Sequence, residues 1–145
     1  MEIQEAFERM CTHIFTQGKR ASTNYGQCQY LLEVTEEGEG FYKGSKRTEH
    51  LMCAIGAIMP KTLSDMQIQH FTEIGSIEDC LYADDDKELE YLHDIKLEFL
   101  TAMQECHDNE ELWKYTSDMK DELNSIGVNF QLDTKILRGL HFDDR

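Results

Sequence analysis

The sequence has little proline, few basic residues and no long apolar run. It contains one proline in 145 residues, with 40% hydrophobic and 10% aromatic side chains, so we expect a folded chain and not a disordered acidic tail. Its 14 Lys and Arg stand against 29 Asp and Glu, a formal net charge of -15. Such a surface repels phosphate backbones, which argues against direct binding of nucleic acid.

The apolar run 51–59 is nine residues long and contains Gly56, whereas crossing a bilayer takes about 20 residues. The N-terminus, Met1-Glu2-Ile3-Gln4-Glu5, has no basic segment followed by a long apolar one, so no secretory signal is visible. We therefore expect no membrane association and a cytoplasmic location.

The chain has five cysteines, an odd number without CxxC spacing: Cys11, Cys28, Cys53, Cys80 and Cys106. This pattern favours reduced thiols in a cytosolic core over a disulfide framework.

The first part of the chain predicts a helix followed by a hairpin. Apolar residues recur from Ile3 to Phe15 at helical spacing, which predicts a helix over about 2–17 that ends at Gly18. Residues 28–35 have the aromatic and β-branched bias of a strand, 36–40 are turn-forming, and 41–43 supply a return strand. The run 51–59 is compatible with a buried strand or a buried helix, and its small residues favour the helix.

The rest of the chain predicts a short helix, a loop, two longer helices and a docked tail. Residues 64–71 begin with a capping-box pattern that predicts a short helix, and 75–86 are expected to form a loop with an extended piece at 80–82. Two apolar stripes, 89–106 and 112–126, predict an antiparallel helical hairpin, with Asp108 as the cap of its second helix and Gly127 as the αL residue that ends it. Four apolar residues of the tail are expected to dock on the core: Ile136, Leu137, Leu140 and Phe142. Together these elements predict one α+β domain over 1–145, with an N-terminal helix, a β-hairpin or small antiparallel sheet, and the C-terminal helical hairpin.

The negative charge is concentrated in the second half. Residues 1–77 have ten acids and seven bases, whereas 78–145 have nineteen acids and seven bases. An acidic helical part over about 78–127 is therefore expected to attract a basic partner. The residues predicted to make this contact are Asp84, Asp85, Asp86, Glu88, Glu90, Glu105, Asp108, Glu110 and Glu111. The alternative interpretation is that these acids only keep the protein soluble.

No catalytic or metal motif is visible. The triple aspartate lacks the spacing of an EF-hand loop, and His50 with Cys53 gives the ligand spacing of a zinc site only once. Walker, GxGxxG, GxSxG and HExxH patterns are missing from the sequence, so we predict no metal, no cofactor and no enzyme. An alternative hypothesis, an enzyme or ligand-binding domain, would place its site on Cys28, His50, Cys53, Gln104 and His107.

Two aromatic residues lie near the acidic turn between the predicted helices. Trp113 and Tyr115 are candidate partner anchors, since aromatic residues are enriched at binding hot spots. Trp113 follows Leu112 on the apolar stripe, which favours packing in the core.

Several segments together resemble a known family. They are "FTQGKRA", "CQY", "MCAIGAIMP" and "FLTAMQECHDN", scattered over residues 1–127. The chain resembles a family of small, uncharacterised proteins of tailed phages and prophages, typified by a Cys-Ala-(Ile/Val)-Gly segment and a later Leu-Gln-x-x-His-Asp segment. Here Met103 replaces the leucine, whereas Gln104, His107 and Asp108 match, and the tyrosine and acidic stretch usual after the first motif are not evident. The resemblance implies a phage origin and no defined activity.

Three hypotheses of function follow. The first is a phage-encoded, non-enzymatic protein that binds and inhibits a basic host protein, such as a nuclease or a nucleic-acid-binding defence complex, by nucleic-acid mimicry in the host cytoplasm. The second is the Cys/His-based enzyme or ligand-binding domain. The third is a structural or virion-associated component, for which a stable homo-oligomer is the expected sign.

Overall fold

The computed structural model describes residues 1–18, 55–59, 66, 77–82 and 89–143 with their side chains, and residues 32–37 and 46–51 as backbone. The first element is helix α1 (Ile3–Gln17). One face of α1 is fully buried, as its apolar periodicity predicts, and Gly18 ends the helix with φ 69° while its N–H donates to the Ile14 carbonyl at 2.9 Å. Both the helix and its glycine stop are therefore confirmed.

The described core is all-helical, and the prediction of an α+β domain is wrong. Every described core residue lies on a helix, on a 3₁₀ turn or in an irregular segment beside one, and the part of the chain described with side chains has no strand. Two backbone segments, β1 (Leu32–Glu37) and β2 (Lys46–Leu51), pair antiparallel, with Leu32 opposite Leu51. An isolated pair of strands is marginally stable at best. Local β propensity therefore predicts extended segments here but not the class of the domain.

The predicted return strand at 41–43 lies outside the described residues, and so does the predicted helix over 64–71 apart from Met66, which is helical. The apolar run 51–59 is neither a continuous strand nor a continuous helix. Leu51 ends β2, and a 3₁₀ turn spans Gly56–Ile58. Ile55 and Ile58 are buried, and the Tyr91 hydroxyl donates a hydrogen bond to the Ile58 carbonyl.

Residues predicted as loop form helix α2 (Ile77–Tyr82). The predicted extended piece at 80–82 is therefore wrong. Ile77 and Cys80 are both buried and lie three residues apart, which is helical spacing. With only two buried positions in six residues, the apolar pattern is too short to be recognised in the sequence.

The C-terminal part has two longer helices, each preceded by a 3₁₀ turn. The first stripe is divided into a turn at Glu90–Asp94 and helix α3 (Leu97–Asp108). The second is divided into a turn at Glu110–Trp113 and helix α4 (Thr116–Asn129), and α3 packs on α4. The apolar stripes continue through these breaks because a 3₁₀ turn also places residues i and i+3 on one side.

Two predicted helix boundaries are wrong. Asn109, not Asp108, is the cap: its side-chain oxygen accepts a hydrogen bond of 3.1 Å from the Glu111 N–H and begins the 3₁₀ turn. Gly127 does not end α4, which continues to Asn129. The left-handed residue that follows the helix is Gln131, at φ 59°.

The tail docks on the core as predicted. A 3₁₀ turn spans Lys135–Gly139, and Leu137 and Phe142 are buried while Ile136 and Leu140 pack partly against the core. The Gln4 side chain also joins α1 to the tail, because its amide donates to the Asp133 carbonyl at 2.9 Å and accepts from the Asp133 N–H at 2.8 Å. Among the described helices, none is both long enough and apolar enough to cross a membrane.

Candidate functional site

The connection between α3 and α4 is fixed by buried aromatic residues. The Trp113 indole N–H donates a hydrogen bond of 2.8 Å to the His107 carbonyl, and the two rings meet edge to face with centroids 5.4 Å apart. Trp113 is 4% exposed and His107 is fully buried. Trp113 is therefore a core residue, as its position on the stripe predicts, and it folds the Glu110–Trp113 turn back onto the end of α3.

Phe142 from the tail extends this packing to α1. Its ring stacks on Trp113 at a centroid distance of 5.9 Å and on Phe15 of α1 at 5.3 Å. The Phe142 N–H also donates to the Thr116 hydroxyl at 3.0 Å, at the start of α4. The tail thus holds the Glu110–Trp113 turn and the start of α4 against the first helix.

Exposed carboxylates surround this rigid connection. Residues 105–122 have seven acids and two lysines. We call these seven acids the acidic face: Glu105, Asp108, Glu110, Glu111, Asp118, Asp121 and Glu122. Six of them are exposed, and Asp108 is partly exposed, with its carboxylate 3.2 Å from His107 Nδ1.

Part of the acidic face borders a concave groove of about 320 Å³ between the Glu110–Trp113 turn and α4. We call it the acidic groove. Its lining residues are Glu111, Leu112, Lys114, Tyr115, Asp118, Asp121, Glu122 and Ser125. Leu112 and Tyr115 contribute apolar surface, and the Tyr115 side chain is 51% exposed. The groove thus combines four carboxylates and one ammonium group with an accessible aromatic ring.

The α4 carboxylates of the groove share one exposed helix face. Asp118, Asp121 and Glu122 are spaced i, i+3 and i+4, and like charges at these spacings repel one another. Asp118 lies in the first turn of α4, where the helix dipole favours it, but Asp121 and Glu122 lie beyond that turn. This face of the helix therefore stores unfavourable electrostatic energy in the isolated protein.

One cation of the chain already lies at the edge of the groove. Lys114 Nζ is 2.9 Å from Glu111 Oε2, and both side chains are largely exposed. The hydrogen bond to Glu111, followed by the charge of that carboxylate, raises the pKa of Lys114 above its ordinary value. The contact between Lys114 and Glu111 is an example of the charge-assisted hydrogen bond that a carboxylate of the groove can form with an ammonium or guanidinium group.

The structure brings together only some of the predicted binding residues. Glu105, Asp108, Glu110 and Glu111 cluster around the end of α3 and the following turn, whereas Glu90 is exposed on the separate 3₁₀ turn before α3. Asp84, Asp85, Asp86 and Glu88 lie outside the described residues. The described groove residues that the sequence analysis missed are Asp118, Asp121 and Glu122, although their spacing is visible in the sequence.

The residues of the enzyme hypothesis are only partly described. Cys28 and Cys53 lie outside the described residues, and His50 is described as backbone in β2. Gln104 is partly buried and His107 fully buried on α3. Within the described side chains, no group of three His, Cys, Asp or Glu residues is placed to hold a metal ion.

The described cysteines are buried: Cys11, Cys80 and Cys106. Burial, and next the charges of Glu122 and Asp108, raise the pKa of Cys106 to about 12, and burial also raises the pKa of Cys11. A nucleophilic cysteine needs a lowered pKa. These thiols therefore behave as small apolar core groups, and the acidic groove is the better candidate site.

Comparison with known protein families, curated proteins and solved structures finds no match to this chain.

Proposed function

We propose that the protein is a non-enzymatic interaction protein whose acidic face binds a basic surface on another protein. The acidic groove is the observation that supports this proposal best. Four carboxylates and one lysine line a concave surface, so the groove offers a partner more negative charge than Lys114 neutralises. Such a surface accelerates encounter with a basic partner and disfavours acidic ones.

The buried support of the groove favours binding by a preformed surface. The Glu110–Trp113 turn is held by the Trp113 hydrogen bond and by the stack on Phe142. A turn whose backbone is fixed before the encounter loses little conformational entropy when a partner binds.

The unfavourable charge pairs on α4 also support the proposal. Each like-charge pair at i, i+3 or i+4 costs roughly 0.2–0.5 kcal/mol, so Asp118, Asp121 and Glu122 lower the stability of the free protein. Functional sites are where natural proteins are expected to violate such local rules. A bound cation would remove the cost.

The resemblance to small phage proteins extends the proposal to a phage-encoded protein that acts in the host cell. Its partner is then a basic host protein in the host cytoplasm, such as a nuclease or a nucleic-acid-binding defence complex. The carboxylates would occupy the Lys and Arg side chains that otherwise bind phosphate groups. Inhibition would follow from competition with nucleic acid.

The test is capture of the partner followed by competition with DNA. The full chain is used as bait in bacterial lysate at about 50 mM and about 300 mM NaCl, since salt screens interactions between exposed charges. The bait variants are Asp121→Asn/Glu122→Gln and a charge-matched control, Glu2→Gln/Glu5→Gln, at exposed positions near the start of α1. The captured protein is then titrated with duplex DNA in the presence and absence of the bait.

We expect a basic nucleic-acid-binding protein that is captured at low salt by the wild type and by the control variant. The Asp121→Asn/Glu122→Gln variant should capture much less of it, and the wild-type chain should displace DNA from it. Equal capture by both variants at both salt concentrations would refute the acidic face as the binding surface. Capture without displacement of DNA would refute the mimicry.

A further inference from the structure

The acidic groove contains an aromatic ring at a fixed position. Tyr115 immediately precedes α4, and its carbonyl accepts the first hydrogen bond of that helix, from the Met119 N–H at 3.3 Å. Its backbone is therefore fixed by the helix, while its side chain is 51% exposed at the groove. The groove therefore presents an accessible aromatic ring at a fixed backbone position, and aromatic residues are enriched at binding hot spots.

The groove surrounds this ring with negative charge. Glu111 lies on the preceding turn, and Asp118 and Glu122 lie on α4, all lining the same groove as Tyr115. A tyrosine face attracts a cation electrostatically, and carboxylates nearby add charge-assisted hydrogen bonds. Apolar surface and negative charge thus occur together, which is the combination that a flat, delocalised cation fits.

We infer that the acidic groove binds an arginine side chain of an extended basic segment, with the guanidinium group on the Tyr115 ring and its N–H groups on the carboxylates. Charge complementarity selects a basic occupant, and the aromatic ring selects arginine over lysine. A guanidinium group is planar, weakly hydrated and able to bind a carboxylate through two N–H groups, whereas an ammonium group is compact and strongly hydrated. The inference rests on the proposed function and specifies the partner's chemistry at one position.

Lys114 competes with a bound cation for the carboxylate of Glu111. Its ammonium group is 2.9 Å from Glu111, so Glu111 is shared between Lys114 and any incoming cation. The α4 carboxylates are then the stronger acceptors, because Asp121 and Glu122 are more than one helical turn away from Lys114 in sequence. Neutralising Asp121 and Glu122 should weaken the binding of any cationic peptide, whereas replacing Tyr115 should reduce the preference for arginine.

The experiment titrates the full chain with three octapeptides by calorimetry at about 50 mM NaCl, where charges are weakly screened. The peptides alternate glycine with arginine, with lysine, or with the neutral residue citrulline. The protein variants are Tyr115→Leu, Tyr115→Phe and, as a control at another exposed tyrosine, Tyr82→Leu on α2. Circular dichroism confirms that each variant is folded.

The arginine peptide should bind more tightly than the lysine peptide, by up to about fivefold, because a guanidinium group stacks on the ring and binds carboxylates through two N–H groups. Tyr115→Leu should remove this preference, whereas Tyr115→Phe and Tyr82→Leu should keep it. Equal binding of both cationic peptides to the wild type, with no effect of Tyr115→Leu, would overturn the arginine site and leave the proposed function standing. If neither cationic peptide bound better than the citrulline peptide, both proposals would fail.

Discussion

The indole N–H of Trp113 donates a 2.8 Å hydrogen bond to the carbonyl of His107, six residues earlier. This bond closes the turn that joins α3 to α4 and lies beneath the exposed carboxylates of residues 105–122. A buried neutral contact thus fixes the geometry of a charged surface. The stability of this turn and the function that we propose for the face above it are therefore connected.

Removal of the Trp113 donor should destabilise the protein. In Trp113→Phe the aromatic ring remains but the His107 carbonyl loses this donor, which we expect to cost about 1–3 kcal/mol. Urea unfolding followed by far-ultraviolet circular dichroism measures the change. The exposed neighbour Lys114→Ala should leave the midpoint unchanged, since an exposed ion pair contributes little. A Trp113→Phe midpoint equal to the wild type would show that the hydrogen bond is unimportant.

Truncation of Phe142 should detach the tail from the Trp113 turn. Phe142 is 6% exposed and stacks on both Phe15 and Trp113, so Phe142→Ala should cost about 3–5 kcal/mol, the usual range for a buried phenylalanine. Trp113 is the only tryptophan, and its emission should shift to longer wavelength. His141→Ala, at an exposed position, is the control. An unshifted spectrum in Phe142→Ala would contradict the stack.

Replacement of Gly127 by alanine should destabilise α4, although alanine is the better helix former. A Cβ atom at this position would lie 2.4 Å from Thr134 Cγ2 and 3.2 Å from Phe7 Cζ. Overpacking of this kind costs about 1–3 kcal/mol, which exceeds the roughly 1 kcal/mol gained in helix propensity. Val128→Ala, at the exposed next position, should instead stabilise slightly. Urea unfolding distinguishes the two, and a stabilised Gly127→Ala would show that the helix and tail are not in close contact.

The buried thiol of Cys106 predicts a loss of stability in alkali. The folded-state pKa is about 12, against an ordinary value of 9.0. The unfolded chain therefore loses the proton first, so the contribution to stability is complete below about pH 9 and declines as the pH rises toward 12. We expect the free energy of unfolding to fall between about pH 9 and pH 12, and to fall less steeply in Cys106→Ala. Equal slopes in the two proteins would contradict this assignment.

Long apolar stripes predict helices in this chain, and short ones do not. The buried face of α1 is long enough to establish both its period and its end at Gly18. Helix α2 has only Ile77 and Cys80 as buried residues, so no period can be recognised. The capping residue was misassigned because Asp108 and Asn109 are both good caps, and only the geometry shows that the Asn109 side chain accepts the Glu111 N–H.

The sequence predicts that the second half of the chain is acidic, but it does not predict the acidic groove. Net charge predicts the acidic C-terminal part, yet the groove depends on how the Glu110–Trp113 turn folds back over α4. The sequence does not predict how this turn folds, because the turn is held by a long-range contact, the stack of Phe142 between Phe15 and Trp113. The predicted contact residues come from dense acidic runs of the sequence. Asp121 and Glu122 are not among them, because they belong to a set of acids at helical spacing.

The most direct test is urea unfolding of the wild type and of Asp121→Asn/Glu122→Gln, each with and without the arginine octapeptide. A ligand that binds the folded state raises its apparent stability. The account predicts that the variant alone is more stable by a few tenths of a kcal/mol, because like-charge pairs on α4 are removed, and that the peptide stabilises the wild type much more than the variant. If the variant were no more stable and the peptide stabilised both proteins equally, the acidic groove would not be the binding site.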